Sequence, residues 1–455
     1  MVSSRSIESG QESLSKSEVD IFETTTILPQ PNTRLVAGSE GFSASKHEPV
    51  LELQKQKSER RQESEPASEP ETEPEAERQT GRREVEHRTV LIIGAGPAGS
   101  LAAERLSEAG IDALIIEKRA VVGNPAQCGE CVPGWGEMIG TFPKLESENW
   151  LAERFDYPTH AISRRLDWMR VFTPRMKPYG FELDCYSAHR LQFDGHLAEQ
   201  ALKAGAEIRL TEALQNVLDR RGNSPDLYVT NRGRYTADWV IDASGALGHV
   251  RRLLGQVDRP AALLPSIYAQ VEGDLPPTFD IYIGGVAPAG YAWVIPKDGI
   301  ANVGIGIKPG AVKRPLRELL DAFCDSLNVE ILSYGGGYIP MGGAVRNVVF
   351  RNIMSVGDAA GLVMPSNGGG IGQAMVSGMM AAEAIIDAKE RGASLNHYQD
   401  RLHDVFAKPL KISLRTKRMF WHFGRNDALI ELGLRLLGRS GIRRAVDCRR
   451  PFFIV

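Results

Sequence analysis

Three glycines directly after a short apolar run are the first residues whose spacing predicts chemistry. Gly94, Gly96 and Gly99 form a G-x-G-x-x-G pattern behind the apolar residues 90–93. The first glycine of such a pattern permits a tight turn, the second lets backbone approach a pyrophosphate, and the third lets a helix pack closely. The amides that open the following helix, predicted at Ser100–Ala109, point at that phosphate. The pattern therefore predicts a dinucleotide site.

A carboxylate stands where this site needs one. Gly110 ends the predicted helix, and a second apolar strand, Ala113–Ile116, leads into Glu117. A carboxylate at this spacing accepts hydrogen bonds from the ribose hydroxyls of an adenosine and disfavours a 2′-phosphate. The predicted nucleotide is FAD or NAD rather than NADP, and the motif does not separate the first two. The alternative is a glycine-rich turn in another α/β fold.

A second glycine-rich block lies far along the chain. A largely apolar predicted strand over residues 353–356 ends in Gly357-Asp358, and glycines 368–370 precede a helix predicted at Gln373–Ile385. Glycines before a helix form an amide-lined anion site. Asp358 would lie at the carboxyl end of a strand, where ligands gather in α/β sheets.

Two cysteines stand in the loop behind Glu117, in the pattern Cys128-Gly-Glu-Cys131. One C-x-x-C is half of a zinc site, and no second pair or nearby histidine completes it, so no metal site is predicted. A redox dithiol is one interpretation. The favoured interpretation is a loop that places Cys128 and Gly129 beside a cofactor.

Aromatic residues and glycines alternate in a strand-rich block at 265–308. Tyr291 and Trp293 lie between Pro288 and Pro296, and the strand predicted at Ala301–Ile307 carries two glycines. Glycines in a strand let a long ligand or a flat ring approach the backbone. The alternative is an ordinary sheet with aromatic side chains on its core face.

The composition bounds the class of protein. The chain has 455 residues, a formal net charge of -3 and five cysteines. So few cysteines in odd number argue against a secreted disulfide framework and for a reducing cytosol. An apolar run of about 18 residues is missing, so no spanning helix is predicted. Signal-peptide and nucleic-acid-binding patterns are not recognised either.

The two ends of the chain differ in charge. Residues 1–86 are predicted to be a disordered acidic tail, because Ser58–Gly81 repeats Glu-Pro and holds no aromatic residue. That tail is interpreted as a solvated segment or a misassigned start, with a regulatory tether as the alternative. From about residue 400 the chain is predicted to be helical and basic, with interleaved leucines. A solvated helical face and docking on an anionic membrane both fit that pattern.

Four separated motifs together resemble the geranylgeranyl reductase family of para-hydroxybenzoate-hydroxylase-type flavoproteins. They are the glycine turn with Glu117, Cys128-Gly-Glu, the P-x-x-Y-x-W-x-x-P pattern of Pro288–Pro296, and Gly357-Asp358 with the following Gly-Gly-Gly-Ile371. The resemblance spans about residues 88–420. One departure is Ser244-Gly245, where hydroxylases of this superfamily usually carry Asp-Gly.

The resemblance implies FAD as the cofactor and assigns its contacts. Ala98 and Glu117 match the adenosine-diphosphate end, Leu214 the position beside the adenine, and Arg190 an arginine that reaches the cofactor. The full predicted cofactor set is Gly94, Gly96, Ala98, Gly99, Glu117, Cys128, Gly129, Cys131, Arg190, Leu214, Asp358, Gly370 and Ile371. The predicted catalytic residues are Cys128, Tyr291 and Trp293.

The implied fold class is mixed α/β: a glutathione-reductase-type, Rossmann-like FAD-binding domain, an inserted antiparallel-sheet substrate domain and a helical C-terminus. The FAD-binding domain is predicted from segments 87–160, 187–255 and 346–395. The substrate domain is predicted from segments 161–186 and 256–345, and residues 396–455 form the basic helical region.

The implied activity is hydrogenation of isoprenoid C=C bonds. Archaeal members of the family saturate geranylgeranyl chains of membrane ether phospholipids, whereas others act on geranylgeranyl diphosphate or the chlorophyll tail. The implied partners are an isoprenoid lipid, an electron donor (ferredoxin, NAD(P)H or a deazaflavin) and the inner face of the cell membrane. Two alternatives share the fold: a flavin-dependent monooxygenase or halogenase, and a flavin-bearing electron carrier.

Overall fold

The computed structural model describes residues 84–219 and 226–450. The predicted acidic tail therefore lies outside the described residues, apart from its last three positions. The strands are β1 Val85–Ile93, β2 Ala113–Ile116, β3 Cys131–Pro133, β4 Arg164–Phe172, β5 Pro178–Ser187, β6 Glu207–Arg209, β7 Leu214–Leu218, β8 Leu227–Thr230, β9 Arg234–Asp242, β10 Leu263–Glu272, β11 Phe279–Gly284, β12 Ala287–Pro296, β13 Ala301–Gly306, β14 Glu330–Pro340, β15 Val349–Phe350 and β16 Ile353–Ser355. The helices are α1 Pro97–Glu108, α2 Trp135–Thr141, α3 Arg190–Ala204, α4 His249–Leu253, α5 Leu316–Leu327, α6 Ile371–Arg391, α7 Asn396–Phe423 and α8 Asp427–Val446, with 3-10 helices at Pro143–Phe155 and Gly357–Ala360.

A parallel sheet forms the first layer, in the order β16-β9-β1-β2-β6. The apolar run of β1 pairs Val90 with Ala113 of β2 and Leu91 with Val240 of β9. Because these strands run in one direction, their carboxyl ends lie at one edge of the sheet. That edge carries Gly94 and the Gly357–Ala360 turn.

Helices and a β-ribbon cover the two faces of this sheet. Helices α1, α3 and α6 contribute Leu101, Phe193 and Met380 to the larger apolar cluster. The antiparallel ribbon β7–β8, which extends from β9, contributes Leu214 and Tyr228 to the cluster on the other face. Strands β8 and β9 pair as an antiparallel hairpin.

A second, mostly antiparallel sheet has the order β14-β10-β13-β12-β11-β4-β5-β3. Only β4 and β11 pair in parallel among its described strands. Its core face packs against α5 through Phe323 and Cys324, which join Val303 and Ile305 of β13. The predicted fold class, with a Rossmann-like sheet, an antiparallel sheet and a helical C-terminus, is confirmed. The domain boundaries stay a prediction.

The C-terminal region consists of two helices, α7 and α8. Within the described residues, none of the helices has the length and apolarity needed to span a membrane. The turn between them contacts the second sheet, since the Ala289 amide donates to the Gly424 carbonyl over 2.9 Å.

Candidate active site

The first glycine turn is tightly packed on two sides and open on the third. A Cβ on Gly94, whose φ is +109°, would lie 2.5 Å from the Ala243 carbonyl oxygen. A Cβ on Gly99 would lie 2.0 Å from the Gly94 oxygen, whereas a Cβ on Gly96 would meet nothing within 4 Å. Helix α1 begins at Pro97 without a side-chain cap, so its first amides stay available to a ligand. This turn fits a pyrophosphate.

Glu117 lies at the end of β2 beside that turn and is buried. One carboxylate oxygen accepts the Ala95 amide and the other accepts the Arg119 amide, each over 2.9 Å. Carboxylate oxygens accept more than one hydrogen bond, so both retain capacity for ribose hydroxyls. Leu214 packs in the same apolar cluster as Ile93 of β1 and Ile116 of β2, the residues that precede the glycine turn and Glu117.

The second glycine block meets the first. A Cβ on Gly378 of α6 would lie 2.2 Å from the Ala98 carbonyl oxygen, so α6 crosses α1 in backbone contact. A Cβ on Gly357 would lie 3.7 Å from that of Ala98. Residues about 260 positions apart thus form one continuous edge, as the dinucleotide interpretation requires.

Asp358 stands at this edge beside Gly370, which precedes α6. A Cβ on Gly370 would lie 3.2 Å from an Asp358 carboxylate oxygen. Burial raises the pKa of Asp358 to about 6, against an opposing effect of Arg190. Helix α6 starts at Ile371 without a side-chain cap, which leaves amides exposed to a ligand. The donors and acceptors along this edge suit the ribityl and pyrimidine parts of FAD.

Arg190 connects this edge to the cysteine loop. Its guanidinium forms a two-bond pair with Asp194, with distances of 2.8 and 2.6 Å. Burial disfavours its charge, but Asp194 and Cys128 together hold the pKa of Arg190 above its ordinary value. Arg190 therefore lies between Cys128 and Asp358 as a fixed positive charge.

Cys128 is half-buried, and its sulfur accepts the Glu130 amide over 3.1 Å. Burial raises the pKa of the Cys128 thiol, while Arg190 and that amide oppose the shift. The thiol is thus favoured at neutral pH, and a thiolate formed there would still have two stabilising neighbours.

The other cysteine of the pair has a different environment. Cys131 opens β3, and its thiol is hydrogen-bonded to that of Cys185, which together with burial raises the pKa of Cys185 well above its ordinary value. All five cysteines are free. Among residues 84–219 and 226–450, no group of three histidine, cysteine or carboxylate side chains is placed to hold a metal ion.

Trp293 and Tyr291 lie side by side on β12, with ring centroids 6.0 Å apart. A Cβ on Gly304 would lie 2.2 Å from the Trp293 ring. The space above this strand glycine, which was predicted to admit a ligand or a flat ring, is therefore occupied by the indole of Trp293. A Cβ on Gly129 would lie 3.4 Å from the Trp293 nitrogen. The Tyr291 hydroxyl donates to the Asn367 carbonyl over 2.6 Å, which joins β12 to the glycines before α6.

Three buried polar residues beside Cys128 were not predicted from the sequence: Glu130, Lys297 and Asn302. Lys297 forms an ion pair with Glu130, and Asn302 donates to the same carboxylate over 3.0 Å. Two of them lie within or directly beside motifs that the sequence analysis identified: Glu130 stands inside the C-x-x-C pattern, and Lys297 directly follows Pro296, the last residue of the P-x-x-Y-x-W-x-x-P pattern.

Comparisons with known proteins agree with this geometry. Residues 267–339 match the family described as geranylgeranyl reductase catalytic domain, and residues 87–125 match the FAD binding domain. A digeranylgeranylglycerophospholipid reductase of Methanopyrus kandleri is 33% identical over 385 residues, 78% of this chain and 92% of that protein. A reductase of the same name from Methanosarcina acetivorans is 32% identical, over 73% of this chain and 84% of that protein.

Solved structures show the same fold. A geranylgeranyl bacteriochlorophyll reductase-like protein from Thermoplasma acidophilum superposes with a TM-score of 0.69 at 26% identity, covering 82% of this chain and 94% of that one. A flavin-dependent brominase superposes with a TM-score of 0.60 at 20% identity, covering 80% of this chain and 94% of that one, and shows the fold alone.

Fold and site together define an FAD-dependent oxidoreductase. Within that class, the identity and coverage of the relatives place the chain in the geranylgeranyl reductase family.

Proposed function

We propose that this protein hydrogenates the C=C bonds of geranylgeranyl chains in archaeal-type ether phospholipids. The observation that carries the proposal is the contact between the cysteine loop and the strands that match the reductase catalytic domain. Tyr268 of β10 donates to the Ala126 carbonyl over 2.8 Å, and Asn302 of β13 donates to the Cys128 carbonyl over 3.2 Å. The cysteine loop is therefore held directly against the sheet that contains the strands of the matched reductase domain.

Adding hydrogen to an alkene requires a hydride and a proton. Bound FAD supplies the hydride chemistry in its reduced form. In our proposal the Cys128 thiol holds the proton for the second carbon, because its surroundings favour the protonated state at neutral pH. After transfer, the Glu130 amide and the Arg190 charge stabilise the sulfur anion until it is protonated again.

Tyr291 and Trp293 would serve as the wall that orients the prenyl chain. Trp293 is buried and lies next to Gly129 of the cysteine loop, whereas Tyr291 is half-buried and lies next to the glycines before α6. Aromatic faces offer large apolar contact area with little loss of side-chain freedom, which suits a flexible isoprenoid.

The proposed location is the inner face of the cell membrane, reached through a leucine face on α8. Leu429, Leu432 and Leu436 are spaced along one side of the helix and are 47%, 54% and 73% exposed. Near its start, a basic cleft of about 360 Å³ is lined by Lys308, Arg418, Trp421, His422 and Arg425. Apolar side chains beside cations are typical of a surface that docks on anionic lipid.

The activity is tested with purified FAD-loaded protein, reduced anaerobically with dithionite and mixed with a geranylgeranylated glycerol phospholipid. Mass spectrometry should show gains of about two mass units for each double bond reduced. Unchanged lipid with a reducible flavin would contradict the proposal, and peroxide or an oxygenated product would indicate a monooxygenase.

Parallel reactions identify the substrate and the electron donor. Geranylgeranyl diphosphate replaces the phospholipid in one series, to separate a lipid enzyme from a diphosphate enzyme. Ferredoxin, NADPH and a reduced deazaflavin each replace dithionite in another, and the donor that supports repeated turnover is the physiological class.

A further inference from the structure

An ion pair is buried directly behind the cysteine loop. The side chains of Lys297 and Glu130 are 0% and 2% exposed, and they contact each other. Gln270 also contacts both, donating to Glu130 over 2.7 Å and accepting from Lys297 over 3.2 Å. Burying two charges costs free energy that pairing offsets only in part, so a hydrophobic pair would often be as stable. The position of the pair therefore points to a role beyond stability.

Glu130 also has an unusual backbone. Its φ is +66°, in the left-handed region that residues with a side chain rarely adopt. This conformation directs its amide back to the Cys128 sulfur, while its carboxylate accepts the Arg190 amide over 3.2 Å and the Lys297 ammonium. The contacts of the carboxylate hold the backbone that contacts the thiol.

Asn302 links the loop to the tryptophan. Its side-chain nitrogen donates to the Cys128 carbonyl and to Glu130, over 3.2 and 3.0 Å. Its side-chain oxygen accepts the Trp293 indole N–H over 2.7 Å. Since an indole only donates and a carbonyl only accepts, the orientation of the amide is determined by its neighbours. Asn302 is fully buried, so water offers no substitute for these bonds.

We propose that Glu130, Lys297 and Asn302 form a positioning network that holds the Cys128 thiol against Trp293 and balances the charge facing that thiol. The inference rests on the proposed role of Cys128 as the proton donor. It assigns the three residues to positioning, because they act through Cys128 and Trp293.

The charges around the thiol come from several elements. Arg190 of α3 faces it as a cation, Glu130 as an anion from its own loop, and Lys297 after β12 as a second cation. Tyr268 of β10 and Tyr291 of β12 also face the thiol, and because burial raises the pKa of both, they are neutral at neutral pH. His189 contacts Lys297 at 3.5 Å. Neutralising Glu130 leaves Lys297 unbalanced and favours the thiolate, whereas neutralising Lys297 leaves Glu130 unbalanced and favours the thiol.

The test measures the rate of Cys128 alkylation by iodoacetamide against pH in the FAD-loaded protein, with peptide mass spectrometry to identify the modified cysteine. Glu130→Gln should lower the apparent thiol pKa by about one unit, and Lys297→Met should raise it by about one unit. The double variant should return it to near the wild-type value. The exposed pair Arg314–Glu318 provides matched controls, since Glu318→Gln and Arg314→Met make the same charge changes elsewhere.

Shifts of the same sign in the two single variants, or no shift in either, would overturn the proposal. If a single variant fails to fold, Lys297→Gln decides. It keeps an amide donor for the Glu130 carboxylate but removes the cation, so it should raise the thiol pKa. An unchanged titration in that variant also overturns the network.

The fluorescence emission of Trp293 separates the bond that Asn302 accepts from the bonds that it donates. It is measured as the difference between each variant and the same variant carrying Trp293→Phe. Asn302→Asp should keep the emission of the hydrogen-bonded indole, and Asn302→Leu should lose it. Because alkylation and emission need no lipid, failure of lipid reduction alone would count against the proposed function and not against the network. Full turnover by a Cys128→Ser variant would likewise remove the proposed role of Cys128 as the proton donor. The pKa shifts measured in the Glu130 and Lys297 variants, which retain Cys128, would still stand.

Discussion

The surroundings of Cys128 favour the protonated thiol, but they also contain groups that would stabilise the thiolate. Burial raises its pKa, and the Glu130 amide and Arg190 remain in contact to receive negative charge. A group that gives up a proton in a reaction and regains it afterwards needs both conditions.

We expect Cys128→Ser to lower the rate of alkene reduction by about 100-fold, the range of a lost general acid, because a serine hydroxyl is a far weaker acid. The measurement is single-turnover reduction of the lipid by prereduced enzyme, with FAD content determined from its visible spectrum. Cys324→Ala is the matched control, because Cys324 lies on α5 in the core of the second sheet. Equal losses in both variants would argue for a structural effect.

The ionised carboxylate of Asp358 lowers the stability of the cofactor-free protein but is expected to strengthen FAD binding. Its pKa is raised to about 6 by burial, so the folded protein holds a proton at pH 5 that the unfolded chain has largely released. A raised carboxyl pKa costs stability above that value, and the cost disappears as pH falls through about 6 towards the unfolded value.

Asp358→Asn should therefore stabilise the cofactor-free protein at pH 7, by about 1 kcal/mol after allowance for partial exposure. The same change should weaken FAD binding about tenfold or more, since a carboxylate accepts hydroxyl hydrogen bonds more strongly than an amide. Thermal unfolding without FAD and flavin titration measure the two effects. A variant that is no more stable than wild type at pH 7, or whose advantage is as large at pH 4 as at pH 7, would contradict this assignment.

At the scale of elements, the contact between α1 and α6 assembles the cofactor edge. Gly378 and Ala98 bring the two helices into backbone contact, and Gly357 lies against the same alanine. A close helix crossing of this kind depends on the absence of one side chain.

We expect Gly378→Ala to destabilise the protein by about 1–3 kcal/mol, because its Cβ would lie 2.2 Å from the Ala98 oxygen and force the helices apart. FAD affinity should fall with it, since both glycine blocks move. Gly433→Ala on α8, where a Cβ meets nothing within 4 Å, should instead stabilise by about 0.5–1 kcal/mol. Chemical denaturation of both variants checks the pair, and a neutral Gly378→Ala would contradict the role of this crossing.

At the scale of the whole molecule, the leucine face lies on α8 and the basic cleft lies beside the turn between α7 and α8. The turn between these helices contacts β12, the strand that carries Tyr291 and Trp293. In our proposal, a lipid enters from the bilayer near this corner and its prenyl chain reaches the aromatic wall without crossing bulk water.

Replacing Leu432 and Leu436 by glutamate should lower binding to anionic phospholipid vesicles by about tenfold or more per leucine, from lost apolar burial. Added salt should weaken the remaining binding. Val257→Glu is the control, since Val257 is 85% exposed but lies in the loop before β10. Activity on detergent-dispersed lipid should be unchanged in all three variants. Equal vesicle binding by wild type and the leucine variants would rule this face out.

Much of the fold could be predicted because its signals are local. The strand Ala113–Ile116 was predicted at the bounds that the structure has. The first helix begins at Pro97, three residues before the predicted start, because proline is favoured in the first turn.

The sequence by itself determined the nucleotide-binding fold, because glycines, apolar runs and acids at short spacing impose one local geometry. FAD and the family followed from the resemblance of four separated motifs to geranylgeranyl reductases. It also indicated Cys128, Tyr291 and Trp293 as candidates, whose roles stay predictions. Only the tertiary structure decided what surrounds them. Asn302 and Glu130 are 172 positions apart and Lys297 and Glu130 are 167 apart, so no local pattern relates them. Their buried network exists because the second sheet closes over the cysteine loop, where each polar group must find a partner within the protein.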